Sequence, residues 1–202
     1  MTERGAFIVF EGIDRSGKTT QSRLLVQKLQ AFGLSVKQIR FPNYETASGQ
    51  ILQSYLKNKV DMDARTAHLL FAANRSECVA DITKSLSDGF TVVCDRYVLS
   101  GAAYSVAKGL AADWCFDVER GLPKPDVVML MCVDPTVVEK RSEFGGERHD
   151  KTEFLNKVQN AYQQIKSRTH TVEIDASLSI DEVARLVDSA VEAKTTNEID
   201  YF

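Results

Sequence analysis

The residues best equipped for chemistry lie near the start of the chain, in Phe10-Glu11-Gly12-Ile13-Asp14-Arg15-Ser16-Gly17-Lys18-Thr19-Thr20. Gly12, Gly17, Lys18 and Thr19 have the spacing of a phosphate-cradling P-loop: a glycine, four residues, then Gly-Lys-Ser/Thr. Glycines there let the backbone bend and turn its N–H groups inward, and a following helix points its positive end at the same spot. Lys18 adds a point charge for terminal phosphates, and the Thr19 hydroxyl can ligate Mg²⁺.

Three other groupings carry chemistry. Val92-Val93-Cys94-Asp95 is an apolar run ending in a carboxylate, the place from which P-loop proteins organise Mg²⁺. Arg96 follows at once; the plainer reading is a surface salt bridge. Phe71 and Arg75 lie four apart and share a helix face. They suit stacking on a base and bonding to its edge; the plainer reading is a core phenylalanine with a snorkelling arginine. Glu143-Phe144-Gly145-Gly146-Glu147-Arg148-His149-Asp150, charged and glycine-rich between two predicted helices, suits a mobile lid or a plain exposed loop. His68 and His170 have no partner nameable from sequence and are expected to be structural or exposed, and Trp114 to pack.

The elements that must position these residues alternate. Ala6–Phe10 is an apolar strand, and Leu24, Leu25, Leu29 and Phe32 follow at helical spacing. Further strands are predicted at 35–41, 90–94, 126–133 and 171–175. Helices are predicted at 48–56, 64–86, 99–108, 113–120, from Pro135 to about 143, 152–167 and 180–194. The 64–86 helix places Leu69, Leu70, Ala73 and Val79 on one face. Ser179 and Glu182 form a capping box, and the 195–202 tail is expected to fray. Alternation of this kind predicts an α/β fold with a five-stranded parallel sheet and helices on both faces. Ligands of such sheets sit outside the carboxyl ends of the strands, where the loop after Phe10, Phe41-Pro42, Asp95-Arg96 and Asp134-Pro135 all fall.

With 202 residues and 44% hydrophobic content, one domain spanning 1–202 is expected. A net charge of −3 argues against a general nucleic-acid or anionic-membrane binder, so any phosphate site must be a local cluster of cations. Cys78, Cys94, Cys115 and Cys132 lack CxxC spacing and suit reduced thiols of an intracellular protein. No signal-like N-terminus or membrane-length apolar run is present, and the cytoplasm is the default expectation.

Several signatures together resemble the thymidylate (dTMP) kinases, over about 7–183. They are the P-loop with Phe10-Glu11-Gly12-Ile13-Asp14-Arg15 and Gln21, Arg40-Phe41-Pro42, Leu70-Phe71-Ala72-Ala73-Asn74-Arg75, and Asp95-Arg96-Tyr97 with Ser100-Gly101. Gly121-Leu122-Pro123-Lys124-Pro125-Asp126 and Glu147-Arg148 extend the match. Arg15 within the loop resembles the eukaryotic-type subgroup. The resemblance implies a P-loop nucleoside monophosphate kinase fold, a lid at about 142–153, a homodimer, and Mg²⁺-dependent transfer of the ATP γ-phosphoryl to dTMP. It places ATP on Gly12, Asp14, Arg15, Ser16, Gly17, Lys18, Thr19, Thr20 and Arg141, with adenine near Arg141 and Ser177. It places dTMP on Asp14, Phe41, Pro42, Tyr44, Leu56, Phe71, Arg75, Arg96, Ser100, Gly101 and Tyr104. Thr19 and Asp95 would hold the metal, and Arg15, Lys18, Asp95 and Arg96 would serve catalysis. Glu147, Arg148 and His149 would form the lid. Two positions depart from the pattern: Tyr44 stands where relatives have an arginine, and His149 where they have tyrosine or phenylalanine. A different P-loop phosphotransferase, or a nucleotide-binding scaffold without catalysis, are the competing readings.

Overall fold

The computed structural model describes residues 4–139, 148, 151–191 and 200–202. Five strands, β1 (Phe7–Glu11), β2 (Val36–Arg40), β3 (Thr91–Asp95), β4 (Val127–Cys132) and β5 (Thr171–Asp175), form one parallel sheet in the order β2-β3-β1-β4-β5. Every residue of β1 is buried. Successive strand residues point to opposite faces, so both faces of the sheet centre are covered, as unbroken apolar strands require.

The helices are α1 (Lys18–Ala31), α2 (Ala47–Leu56), α3 (Ala64–Ser76), α4 (Val79–Ser87), α5 (Val98–Val106), α6 (Ala112–Val118), α7 (Pro135–Glu139), α8 (Thr152–Ile165) and α9 (Ile180–Val191). α1 packs on α9, and both lie against the sheet; α5 gathers α3, α6 and α8 around itself. Register lines up the business ends. Phe10 is level with Asp95, and Asp95 with Arg40, so the loops after β1, β3 and β2 leave the sheet side by side.

Three expectations are corrected. The helix predicted over 64–86 is two helices. The chain tightens at Glu77-Cys78, where the Cys78 N–H donates to the Arg75 carbonyl at 3.0 Å, and α4 then packs on β3. Leu69 and Ala73 do not face inward. The inner face of α3 is Ala67, His68, Ala72, Asn74 and Arg75; its three polar members are buried because each finds hydrogen-bond partners inside the molecule. Of the tail expected to fray, 195–199 lie outside the described residues, and 200–202 are docked. The Gly121 N–H donates to Phe202 O at 3.1 Å, the Phe202 N–H to Leu122 O at 2.9 Å, and the Lys124 N–H to Asp200 O at 2.7 Å. The Phe116 and Phe202 rings meet at 6.3 Å. The Ser179–Glu182 box forms as predicted, with the Ser179 N–H 3.1 Å from the Glu182 carboxylate.

Candidate active site

The loop between β1 and α1 needs backbone that side chains resist. Gly12 has φ 136°, Arg15 58° and Gly17 95°. A Cβ on Gly12 would lie 2.7 Å from the Met131 carbonyl oxygen, so only glycine fits. Lys18 is only 4% exposed, and its Nζ donates to the Ile13 carbonyl at 2.6 Å and to Ser16 Oγ at 3.3 Å. Burial, aided by the charge of Arg96, lowers its pKa to about 7. Asp14, Asp95 and Glu11 oppose the fall, but the hydrogen bonds of the ammonium go to a carbonyl and a hydroxyl.

Beside it, Thr19 Oγ1 donates to Asp95 Oδ2 at 2.6 Å. Asp95 Oδ1 is buried with no hydrogen-bond partner among the described residues. Arg40 at the end of β2 comes within 4.0 Å of the same carboxylate. Arg96 occupies the left-handed region, at φ 70°. That turn folds its guanidinium back to Asp14 Oδ1 at 2.5 Å, the Gly12 carbonyl at 3.1 Å and Ser100 Oγ at 3.3 Å. The Tyr104 hydroxyl donates to Asp14 Oδ2 at 2.6 Å.

Beneath this layer Glu11 is wholly buried. Its carboxylate accepts the N–H groups of Tyr97 at 2.9 Å and Ser100 at 3.0 Å, and also the Ser100 hydroxyl. α5 has no side-chain cap of its own, and this carboxylate serves its N-terminus from another strand. Burial pushes the Glu11 pKa up, while its hydrogen bonds with Ser100 oppose the rise.

From Arg96 a cleft of about 820 Å³, open mouth included, runs between α3 and α5. Near the loop its walls are Asp14, Phe41, Pro42, Tyr44 and Arg96; Phe41-Pro42 is a cis peptide. Farther in they are Leu56, Phe71, Arg75, Ser100, Gly101 and Tyr104. Every residue assigned to the acceptor nucleotide from sequence therefore lines one cavity. Arg40, His68, Ser105 and Lys108 line it too, and sequence reasoning missed them. His68 had a findable signal, since it precedes Phe71 by three and Arg75 by seven, the spacing of one helix face. Of the two expectations, structural or exposed, it meets the first: it is buried, with Nδ1 2.8 Å from Ser105 Oγ and Nε2 3.1 Å from the Cys115 carbonyl. Trp114 packs as expected, 5.3 Å from the His68 ring.

The wall is held by buried polar contacts. Asn74 accepts the Asn43 N–H at 2.8 Å and donates to Thr46 Oγ1 at 2.8 Å and Ser48 Oγ at 3.0 Å, pinning the Pro42–Tyr44 loop to α3. Arg148 docks on this side of the molecule. It donates to the Tyr55 carbonyl at 2.9 Å, the Val60 carbonyl at 2.9 Å and Asp61 at 2.7 Å, with its guanidinium 4.2 Å over the Tyr55 ring. Glu147 and His149, expected with Arg148 to form a lid, and Arg141 lie outside the described residues.

A phosphate cradle abutting a base-sized cleft is the plan of a nucleotide phosphotransferase, and the family model described as thymidylate kinase matches residues 10–187. This chain belongs to the thymidylate kinase family. It is 42% identical over 195 residues to a thymidylate kinase of Dictyostelium discoideum, covering 96% of this chain and 88% of that protein. The human thymidylate kinase is 43% identical over 183 residues, covering 89% and 86%. A solved thymidylate kinase structure from Candida albicans has a TM-score of 0.91 at 30% identity, covering 100% of both chains. Thymidylate kinases are nucleoside monophosphate kinases that pass the γ-phosphoryl of ATP to dTMP, giving dTDP and ADP, and that is the reaction of this chain.

Proposed function

We propose that the Gly12–Thr20 loop holds the ATP phosphates and that the adjoining cleft holds dTMP with its phosphate toward Arg96. The observation that carries this reading is the position of Arg96, whose guanidinium touches the loop carbonyl of Gly12 and lines the cleft. An oxygen of the dTMP phosphate attacks the γ-phosphorus. The bond from that phosphorus to the β–γ bridging oxygen breaks, and ADP leaves with the electron pair. The attacking oxygen is ionised near neutral pH, so no general base is needed, and catalysis is positioning and charge neutralisation. Lys18 and Arg15 neutralise the transferred group, and Arg96, helped by Arg40 and the Tyr44 hydroxyl, holds the acceptor phosphate. Phe71 stacks on thymine and Arg75 donates to its O4. Asp14 receives the 3′-hydroxyl, and Tyr104 sits beneath the sugar and crowds a 2′-hydroxyl.

The donor set fits Mg²⁺. Thr19 and Asp95 offer hard oxygens, and Asp95 Oδ1 lacks a partner among the described residues. Among the described residues no group of three or more His, Cys, Asp or Glu could hold a metal; with two protein oxygens as ligands, waters and substrate phosphates would complete the coordination of such an ion. Thr19 and Asp95 would hold it there, and it would supply neutralising charge for the donor phosphates.

The reading also takes the chain as one domain with a lid at about 142–153, Arg141 near the adenine, and a cytoplasmic homodimer. Exposed Leu69 on the outer face of α3 supports subunit packing; no described helix is long and apolar enough to cross a membrane. The test is ADP production from ATP and Mg²⁺ across all nucleoside monophosphates. dTMP gives the highest rate, and dUMP turns over measurably but more slowly, since one methyl group discriminates by about 1–3 kcal/mol. Preference for another acceptor overturns the assignment of the cleft, and equal efficiency on dUMP removes the methyl as a handle.

A further inference from the structure

We propose that Glu119, outside the cleft, is the positioning residue that sets which base edge the cleft accepts; this rests on the reading that Arg75 faces the base. Glu119 caps the C-terminal end of α6 and is 1% exposed. Its carboxylate takes the Arg75 Nε–H at 3.0 Å and the Arg75 Nη2–H through its other oxygen. This two-point fork fixes the plane of the guanidinium as well as its place. The other side is closed by Gly101. A Cβ there would stand 2.5 Å from Arg75 Nη2 and 3.1 Å from Cζ and Nη1, so the guanidinium lies against bare backbone.

With Nε–H and one Nη2 hydrogen engaged, the remaining edge is both Nη1 hydrogens and the second of Nη2, all donors. Such an edge welcomes a carbonyl and opposes an amino group, and it does so only while the guanidinium cannot turn. His68 keeps the fork intact. Its Nε2 faces the Cys115 carbonyl, which can only accept, so Nε2 carries the hydrogen. In the neutral ring Nδ1 then accepts from the Ser105 hydroxyl at 2.8 Å. Burial holds this imidazole neutral. Although its Nε2 is 3.8 Å from Glu119 Oε1, it does not compete with Arg75 for that carboxylate.

The test compares dTMP with 5-methyl-dCMP, which keeps the methyl group and replaces the O4 carbonyl with an amino group. Glu119→Gln raises the KM for dTMP about tenfold, the scale of a lost charge-assisted hydrogen bond. kcat and ADP affinity change little, and the KM for 5-methyl-dCMP does not rise, so the preference narrows. Glu119→Asp keeps the charge and restores part of the preference; if Glu119→Gln fails to fold, Glu119→Asp carries the test with a smaller narrowing. A merely structural role would weaken both acceptors together, and that result, or an unchanged preference, overturns the proposal. Arg75→Ala separates the two levels. If it abolishes the preference while the Glu119 variants keep it, Glu119 is not the positioning residue. If Arg75→Ala also leaves it intact, the placement of Arg75 on the base fails first.

Discussion

The P-loop and the cleft beside it, proposed as donor and acceptor sites, are built in opposite ways. The loop between β1 and α1 is one contiguous stretch whose backbone geometry does most of the work, with Gly12 and Gly17 in conformations that side chains resist. Its one buried cation, Lys18, rests on carbonyl and hydroxyl oxygens and is destabilised by burial. The cleft is assembled from side chains of α2, α3, α5 and the segment after β2, held by buried polar pairs that satisfy one another. The loop leaves its buried lysine without a paired carboxylate among the described residues, whereas the polar groups of the cleft wall, Asn74 and Arg75 among them, are braced by buried partners. Activity should therefore be most sensitive in the first region, and stability in the second.

The sharpest break comes from Lys18→Ala. It should lower kcat about 10³-fold, the scale of a lost preorganised charge contact. The melting temperature should hold or rise, because a buried ammonium has been removed; a large fall would contradict the contrast. The same residue makes a pH prediction. With its pKa at about 7 in the free protein, Lys18 is mostly neutral at pH 8. Phosphates raise that pKa, so binding Mg-ADP at pH 8 takes up about 0.9 proton, declining toward zero by about pH 6. Titration calorimetry in buffers of different ionisation enthalpy reads this directly, and heats independent of buffer would refute it.

Asn74→Ala probes the other region. It strips the pins from the Pro42–Tyr44 loop and should cost about 2–3 kcal/mol in denaturant unfolding. The dTMP KM should rise and ADP affinity should not. A milder sharpening is Tyr44→Phe, which should raise the dTMP KM several-fold at unchanged stability; an unchanged constant removes the hydroxyl from phosphate binding. Smallest is Phe202→Ala, which uncovers Phe116 and should cost about 1 kcal/mol of stability with no change in either KM.

The same contrast explains what could be read from residues alone. The loop was legible because its chemistry lies in neighbours at fixed spacing, and Asp95 because an apolar strand ends in it. The parallel sheet followed from alternation. Glu119 carried no local signal, because its meaning comes from Arg75, 44 positions away. Arg148 likewise lies 93 positions from the Tyr55 carbonyl that it grips. The break between α3 and α4 was hidden because apolar residues continue at helical spacing across Glu77-Cys78. The docked end at Phe202 was missed because a short polar-flanked tail has no periodicity to read.

The central claim is that the two regions meet at Arg96, with the donor phosphates on the loop and the acceptor phosphate on the guanidinium. A crystal structure with ADP, Mg²⁺ and dTMP tests it most directly. The account predicts the β-phosphate of ADP at Lys18, thymine between Phe71 and Arg75, and the dTMP phosphate on Arg96 facing the loop. A dTMP bound outside that cleft, or with its base toward the loop, would contradict it.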